Sequence, residues 1–119
     1  MKGEFKIKEK IGKPMYAHIM LTVKENNELK LNISFEDKLS YEFEKSIEFG
    51  IVYYFTHYVR YVKKIGLNVN IDYVHGIPVD TTAIVLTYSS IKSLSNALDY
   101  EIEGLLITDK GDFVFPKGI

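Results

Sequence analysis

With 119 residues, 46% of them hydrophobic and 26% charged, the chain has the composition of one folded domain rather than of a disordered tract. Fifteen basic against sixteen acidic side chains leave a net charge of −1, so a polyanionic partner would have to meet a local patch. The absence of cysteine excludes disulfides, thiolate catalysis and Cys-ligated zinc. No run approaches the roughly 18 apolar residues needed to cross a bilayer, and Met1 to Lys10 holds no signal-peptide core; a soluble, cytoplasmic protein without a membrane partner is expected.

Three strands open the chain. Phe5, Ile7 and Ile11 alternate with Lys6, Lys8 and Lys10. Ala17, Ile19, Leu21 and Val23 alternate with Tyr16, His18, Met20 and Thr22, and Leu29, Leu31, Ile33 and Phe35 alternate with Lys30, Asn32, Ser34 and Glu36. Period-two patterning predicts a sheet packed on one face and wet on the other. If the odd residues of strands two and three share a face and the two pair directly, Asn26-Asn27-Glu28 is the connecting turn, with an asparagine at positive φ.

Near Ser40 the period changes. Phe43, Ile47, Ile51, Tyr54, Tyr58, Val62 and Ile65 recur at three- and four-residue steps, predicting an amphipathic helix of about seven turns. Acids crowd its start and bases its end, as the helix dipole favours, and Gly66 stands where a C-cap glycine belongs. Gly50 inside this helix costs about 1 kcal/mol against alanine, which points to a close backbone approach.

A fourth strand follows, with Leu67, Val69, Ile71 and Tyr73 inward and Asn68, Asn70 and Asp72 outward. After a loop at His75-Gly76-Ile77-Pro78-Val79, Asp80 is the predicted N-cap of a second helix with the apolar stripe Ile84, Tyr88, Ile91, Leu94, Leu98 and Ile102. Serine and threonine fill most of its other positions, which predicts a weakly charged, partly covered helix. Leu105-Leu106-Ile107, a turn at Asp109-Lys110-Gly111-Asp112, and Phe113-Val114-Phe115 form a small hairpin. The order βββαβα specifies an α+β fold: a four-stranded, mostly antiparallel sheet with two helices on one face, plus a short C-terminal hairpin.

Several short motifs, in order, resemble domain IV of the elongation factor G-like translational translocases. They are Tyr16-Ala17-His18-Ile19; Tyr41-Glu42-Phe43 with Ile47-Glu48-Phe49-Gly50-Ile51; and His75 followed by Val79-Asp80-Thr81-Thr82, Leu86, Ser90 and Ala97-Leu98. The resemblance implies the βββαβα fold, which that domain shares with a small-subunit ribosomal protein and the GHMP kinases. It divides the single domain 1–119 into a translocase-like part, 1–102, and a hairpin extension, 103–119. It also implies ribosomal or other structured RNA as partner, met by tip loops at Gly12-Lys13-Pro14-Met15 and His75-Gly76-Ile77-Pro78. The chain has no GxxxxGK[ST] loop and so cannot couple GTP hydrolysis to movement.

The expected function is therefore a non-enzymatic binding module in translation, a stand-alone copy of the translocase domain. Its RNA-contacting residues are Lys6, Lys8, Lys10, Lys13, Tyr16, His18 and His75, with Lys30 on the same side; basic groups among aromatics hold phosphates and stack bases. Lysines there could equally solubilise an exposed sheet or protect its edge. No cofactor, metal or DNA partner is expected, since the three histidines lack ligand spacing and no nucleophile motif occurs. A protein-interaction or self-associating domain is the alternative, with Tyr53 and Tyr61 lining a homodimer contact. A phosphate- or small-molecule-processing enzyme of the same fold, built on Asp72, His75 and Asp80, is a third reading.

Overall fold

The computed structural model describes residues 1–116; residues 117–119, the end of the predicted extension, lie outside them. The elements are β1 (Lys2–Ile11), β2 (Lys13–Asn26), β3 (Leu31–Phe35), α1 (Tyr41–Tyr61), β4 (Gly66–His75), α2 (Ala83–Leu98), β5 (Leu106–Ile107) and β6 (Phe113–Val114). The first four strands form one sheet in the order β1-β2-β4-β3, and β5 pairs with β6 in the terminal hairpin. This is the expected α+β architecture. The inward residues Ala17, Ile19, Leu21 and Val23 of β2 and Leu67, Val69 and Ile71 of β4 are buried under Ile47, Ile51, Tyr54 and Tyr58 of α1 and Val85, Leu86, Ile91 and Leu94 of α2.

The strand order corrects one expectation. β3 does not pair with β2: β4 lies between them, antiparallel to β2 and parallel to β3. α1 supplies the long crossover that parallel neighbours require. The ten residues of β4 match the long β2, whereas the five-residue β3 serves as an edge. The chain leaving β2 is turned by Asn26, whose Oδ1 accepts from the Glu28 N–H. The left-handed residue there is Leu29 (φ 57°), not an asparagine, and it sits outside the strand. At the other end of the sheet, β1 and β2 pair up to Ile11↔Lys13, so the chain reverses at Gly12 with φ 74°. The expected tip loop 12–15 is thus one glycine followed by strand, and Met15 is buried.

Both helices begin on hydroxyl caps. The Ser40 side chain accepts from the Phe43 N–H, and Thr82, not Asp80, caps α2 by accepting from the Val85 N–H. Asp80 is drawn into the junction with β2 instead: its carbonyl accepts from the Tyr16 N–H, while the neighbouring Thr81 hydroxyl donates to the Tyr16 carbonyl. α1 ends at Tyr61, with Val62 as its C-cap, leaving the four residues 62–65 to turn into the sheet. Gly66 therefore opens β4 rather than capping α1, where a Cβ would strike Asn26. Val62 and Ile84, both expected on buried stripes, are exposed, because α1 stops short of the first and Val85 and Leu86 take the inward directions beside the second.

The serines of α2 have a packing explanation. Ser89, Ser90, Ser93 and Ser95 are buried, and the helix packs against α1 on one side and β1 and β2 on another. Two glycines allow this approach. A Cβ on Gly50 would strike Ser90 Oγ and come within 2.6 Å of the Thr87 carbonyl oxygen, and one on Gly3 would strike the Ser93 carbonyl. Thr87 donates to the Ala83 and Ser46 carbonyls, Ser90 to those of Thr87 and Ile47, and Ser93 to those of Ser89 and Ile19, whereas the buried Ser89 hydroxyl has no partner among the described residues. The C-terminal segment packs on both helices: Phe113 meets Tyr88 of α2 edge-on at 5.1 Å between ring centres, and Phe115 packs on Tyr53 of α1.

Candidate functional site

With both helices on one side, the other face of the sheet stays open, and pleating decides which side chains it carries. The even-numbered residues of β1 lie opposite buried Gly3 and Ile7, so Lys2, Glu4, Lys6, Lys8 and Lys10 face outward. β2 adds Tyr16, His18, Met20, Thr22 and Lys24, alternating with its five buried positions. The pairing arranges these in rows across the sheet. Lys8 stands beside Tyr16, Lys6 beside His18 and then His75, and Glu4 beside Met20 and then Tyr73.

Tyr73 belongs to this face because β4 breaks its own alternation. Pairing with β2 shifts register between Met20 and Leu21, which face Tyr73 and Ile71 respectively, leaving Asp72 as an extra residue. A bulge of this kind sets two consecutive side chains on one side. Asp72 and Tyr73 both emerge on the open face, and Val74 rather than Tyr73 packs against the core. The expectation of an inward Tyr73 is corrected by that one inserted residue. The parity change was visible in Ile71-Asp72-Tyr73-Val74-His75, where the apolar positions move from odd to even.

The result is a cluster of four rings. Tyr16 OH and His75 Nδ1 lie 2.7 Å apart, with the rings edge to face. His18 meets Tyr73 edge-on at 5.3 Å between centres, and Tyr73 lies 6.5 Å from His75. His18 Nε2 pairs with Glu4 Oε2 at 2.5 Å, and the Lys6 ammonium sits over the Tyr16 ring at 5.9 Å. Tyr73 and Met20 remain 43% and 38% exposed, although both come from central strands where apolar side chains are ordinarily covered.

Beyond the rings the face becomes amide-rich. Asn26 and Asn32 both donate to Asn68 Oδ1, Ser34 donates to Asn70 Oδ1, and Asn70 donates to Asp72 Oδ1. Thr22 donates to the other carboxylate oxygen of Asp72 at 2.6 Å. A groove of about 620 Å³ runs along these residues and continues past Asp72 toward Lys2 and Glu4. Five lysines, Lys2, Lys6, Lys8, Lys10 and Lys24, face this side against Glu4 and Asp72, so a chain of net charge −1 carries a locally basic face.

Of the predicted contact residues, Lys6, Lys8, Tyr16, His18 and His75 converge here, and Lys10 extends the lysine row to the hairpin end. Lys13 does not join them, since it shares the parity of buried Met15 and lies at the hairpin end on the helix side. Lys30 is also displaced: it precedes β3 and hydrogen-bonds to Leu67, at the far end of the sheet. Asp72, His75 and Asp80 are not assembled into one site. Asp72 is held by Thr22 and Asn70, and Asp80 lines a separate cavity with Lys8, Lys10 and Tyr16. Among the described residues no group of three His, Asp or Glu side chains could hold a metal ion.

The aromatics of α1 are largely committed. Tyr53 donates to the Pro116 carbonyl at 2.6 Å and meets the Phe115 ring edge-on. Tyr61 packs on His57 and under Arg60. Burial, and then the nearby Arg60 charge, holds the His57 imidazole below its ordinary pKa.

No protein-family model and no curated protein matches the sequence. Among solved structures, the crystal structure of a Thermus thermophilus protein superposes with a TM-score of 0.60 at 14% identity, over 84% of this chain and 16% of that one. At this identity the likeness is one of fold, and the chain spans a small part of the larger molecule. No helix among the described residues is long and apolar enough to cross a membrane.

Proposed function

We propose that the protein is a cytoplasmic, non-enzymatic RNA-binding module whose open sheet face receives unpaired nucleotides of a structured RNA, the ribosome being the first partner to test. The observation that carries this reading is the four-ring cluster of Tyr16, His18, Tyr73 and His75 beside Lys6 and Lys8, on a face that no other element among the described residues covers. Lysines alone would fit the protection of the edge strand β1. Rings exposed on central strands do not serve that purpose, whereas a row of cations flanking a ring platform suits a phosphate backbone with stacked bases. The residue-level resemblance to translocase domain IV supports the same partner class.

Titration of a fluorescent ribosomal RNA fragment against salt tests the reading. If Lys2, Lys6, Lys8 and Lys10 each meet a phosphate, the logarithm of the binding constant falls against the logarithm of salt with a slope of about −3. Absence of binding at low salt, or binding indifferent to salt, contradicts it. Self-association through α1 is the second reading, favoured by Phe49 at 64% and Val52 at 48% exposure. It would appear as a mass that rises with concentration and ignores substitution of the lysines.

A further inference from the structure

We propose that the groove lined by Asp72, the neighbour of Tyr73 in the β4 bulge, selects guanine, and that Asp72 is the residue that reads it; this inference rests on the RNA-binding reading above. The bulge in β4 sets a carboxylate and an aromatic ring side by side on the open face, Asp72 half-buried and Tyr73 exposed. One neighbour can stack on a base while the other meets that base's edge. The Asp72 carboxylate is fixed in place: Thr22 donates to Oδ2 at 2.6 Å and Asn70 to Oδ1 at 2.6 Å. Each oxygen keeps acceptor capacity for one further donor.

An ionised carboxylate presents two parallel acceptors and no donor. Of the four RNA bases, guanine offers two parallel donors on its Watson–Crick edge, N1–H and N2–H. Adenine and cytosine each place a ring acceptor beside their amino group, which would face the carboxylate with a lone pair, and uracil offers one donor flanked by carbonyls. The charges set the strand's direction. The lysine row lies on β1, two strands and roughly 10 Å away from β4. Phosphates are drawn there and repelled by Asp72, so a base rather than the backbone meets the Asp72 part of the groove, whose lining also includes Lys24. Its volume of about 620 Å³ accommodates a base with room to spare.

The test compares ten-nucleotide oligouridylates carrying one central guanosine, inosine or adenosine, by fluorescence polarisation at fixed salt. Inosine keeps N1–H and O6 and lacks the N2 amino group. The wild-type protein is expected to favour guanosine over inosine and over adenosine by roughly tenfold. Asp72→Asn, checked for folding by its thermal transition, is expected to bind guanosine and inosine alike. Equal wild-type affinity for all three, with a steep salt dependence, overturns the guanine inference and leaves the RNA reading standing. Retention of the guanosine preference by Asp72→Asn overturns the assignment of Asp72. Failure of every oligonucleotide and of the ribosomal fragment to bind removes both.

Discussion

Gly50→Ala is expected to destabilise the fold by about 2 kcal/mol, opposite in sign to what helix propensity gives. In an open helix the change would stabilise by about 1 kcal/mol. Here the new methyl would strike Ser90 Oγ and the Thr87 carbonyl oxygen of α2. The hydroxyl can rotate away, but the carbonyl belongs to the backbone of a helix that is itself pressed against β1 through Gly3. Overpacking of this kind costs about 1–3 kcal/mol, and more when the obstacle is main chain. Urea titration with an unchanged m-value would measure it. Phe49→Ala, one position away and exposed, should stay within about 0.5 kcal/mol of wild type. A stabilised Gly50→Ala would mean that α1 and α2 do not approach as described.

The second large effect concerns the open face. Reversing Lys6, Lys8 and Lys10 to glutamate is expected to lower RNA affinity by at least about a hundredfold near physiological salt and to flatten the salt dependence. The three side chains are exposed and form none of the described ion pairs, so the thermal transition should move little. Tyr73→Ala should act differently. Loss of one stacked base is worth about 1–3 kcal/mol, so affinity falls roughly tenfold or more while the salt slope is kept. A lysine reversal without effect, or a Tyr73→Ala change that alters the slope, would assign the two groups to other roles.

The layer architecture was legible because burial leaves its period in each segment. The alternation of Ala17, Ile19, Leu21 and Val23 and the helical spacing of Ile47, Ile51, Tyr54 and Tyr58 each name a buried face, and the structure buries them. The neighbour of each strand was not legible. β3 has the same alternation whether it pairs with β2 or with β4, since side-chain period records burial and not partner. Cap positions were displaced for a related reason: Asp80 and Thr82 are both good caps, and the choice between them came from the contacts of Thr81 and Asp80 with Tyr16, distant in sequence. The ring cluster was half visible. Tyr16, His18, Asp72 and the lysines follow from simple pleating, whereas Tyr73 and His75 reach the same face through a bulge that breaks it.

Mapping backbone amide shifts in ¹H–¹⁵N spectra during titration with the ribosomal RNA fragment addresses the open-face assignment most directly. The largest changes are expected on β1, β2 and β4 around Lys6, Tyr16, His18, Tyr73 and His75, with α1 and α2 nearly unmoved. Changes concentrated on α1 around Phe49 and Val52, with those strands silent, would contradict it.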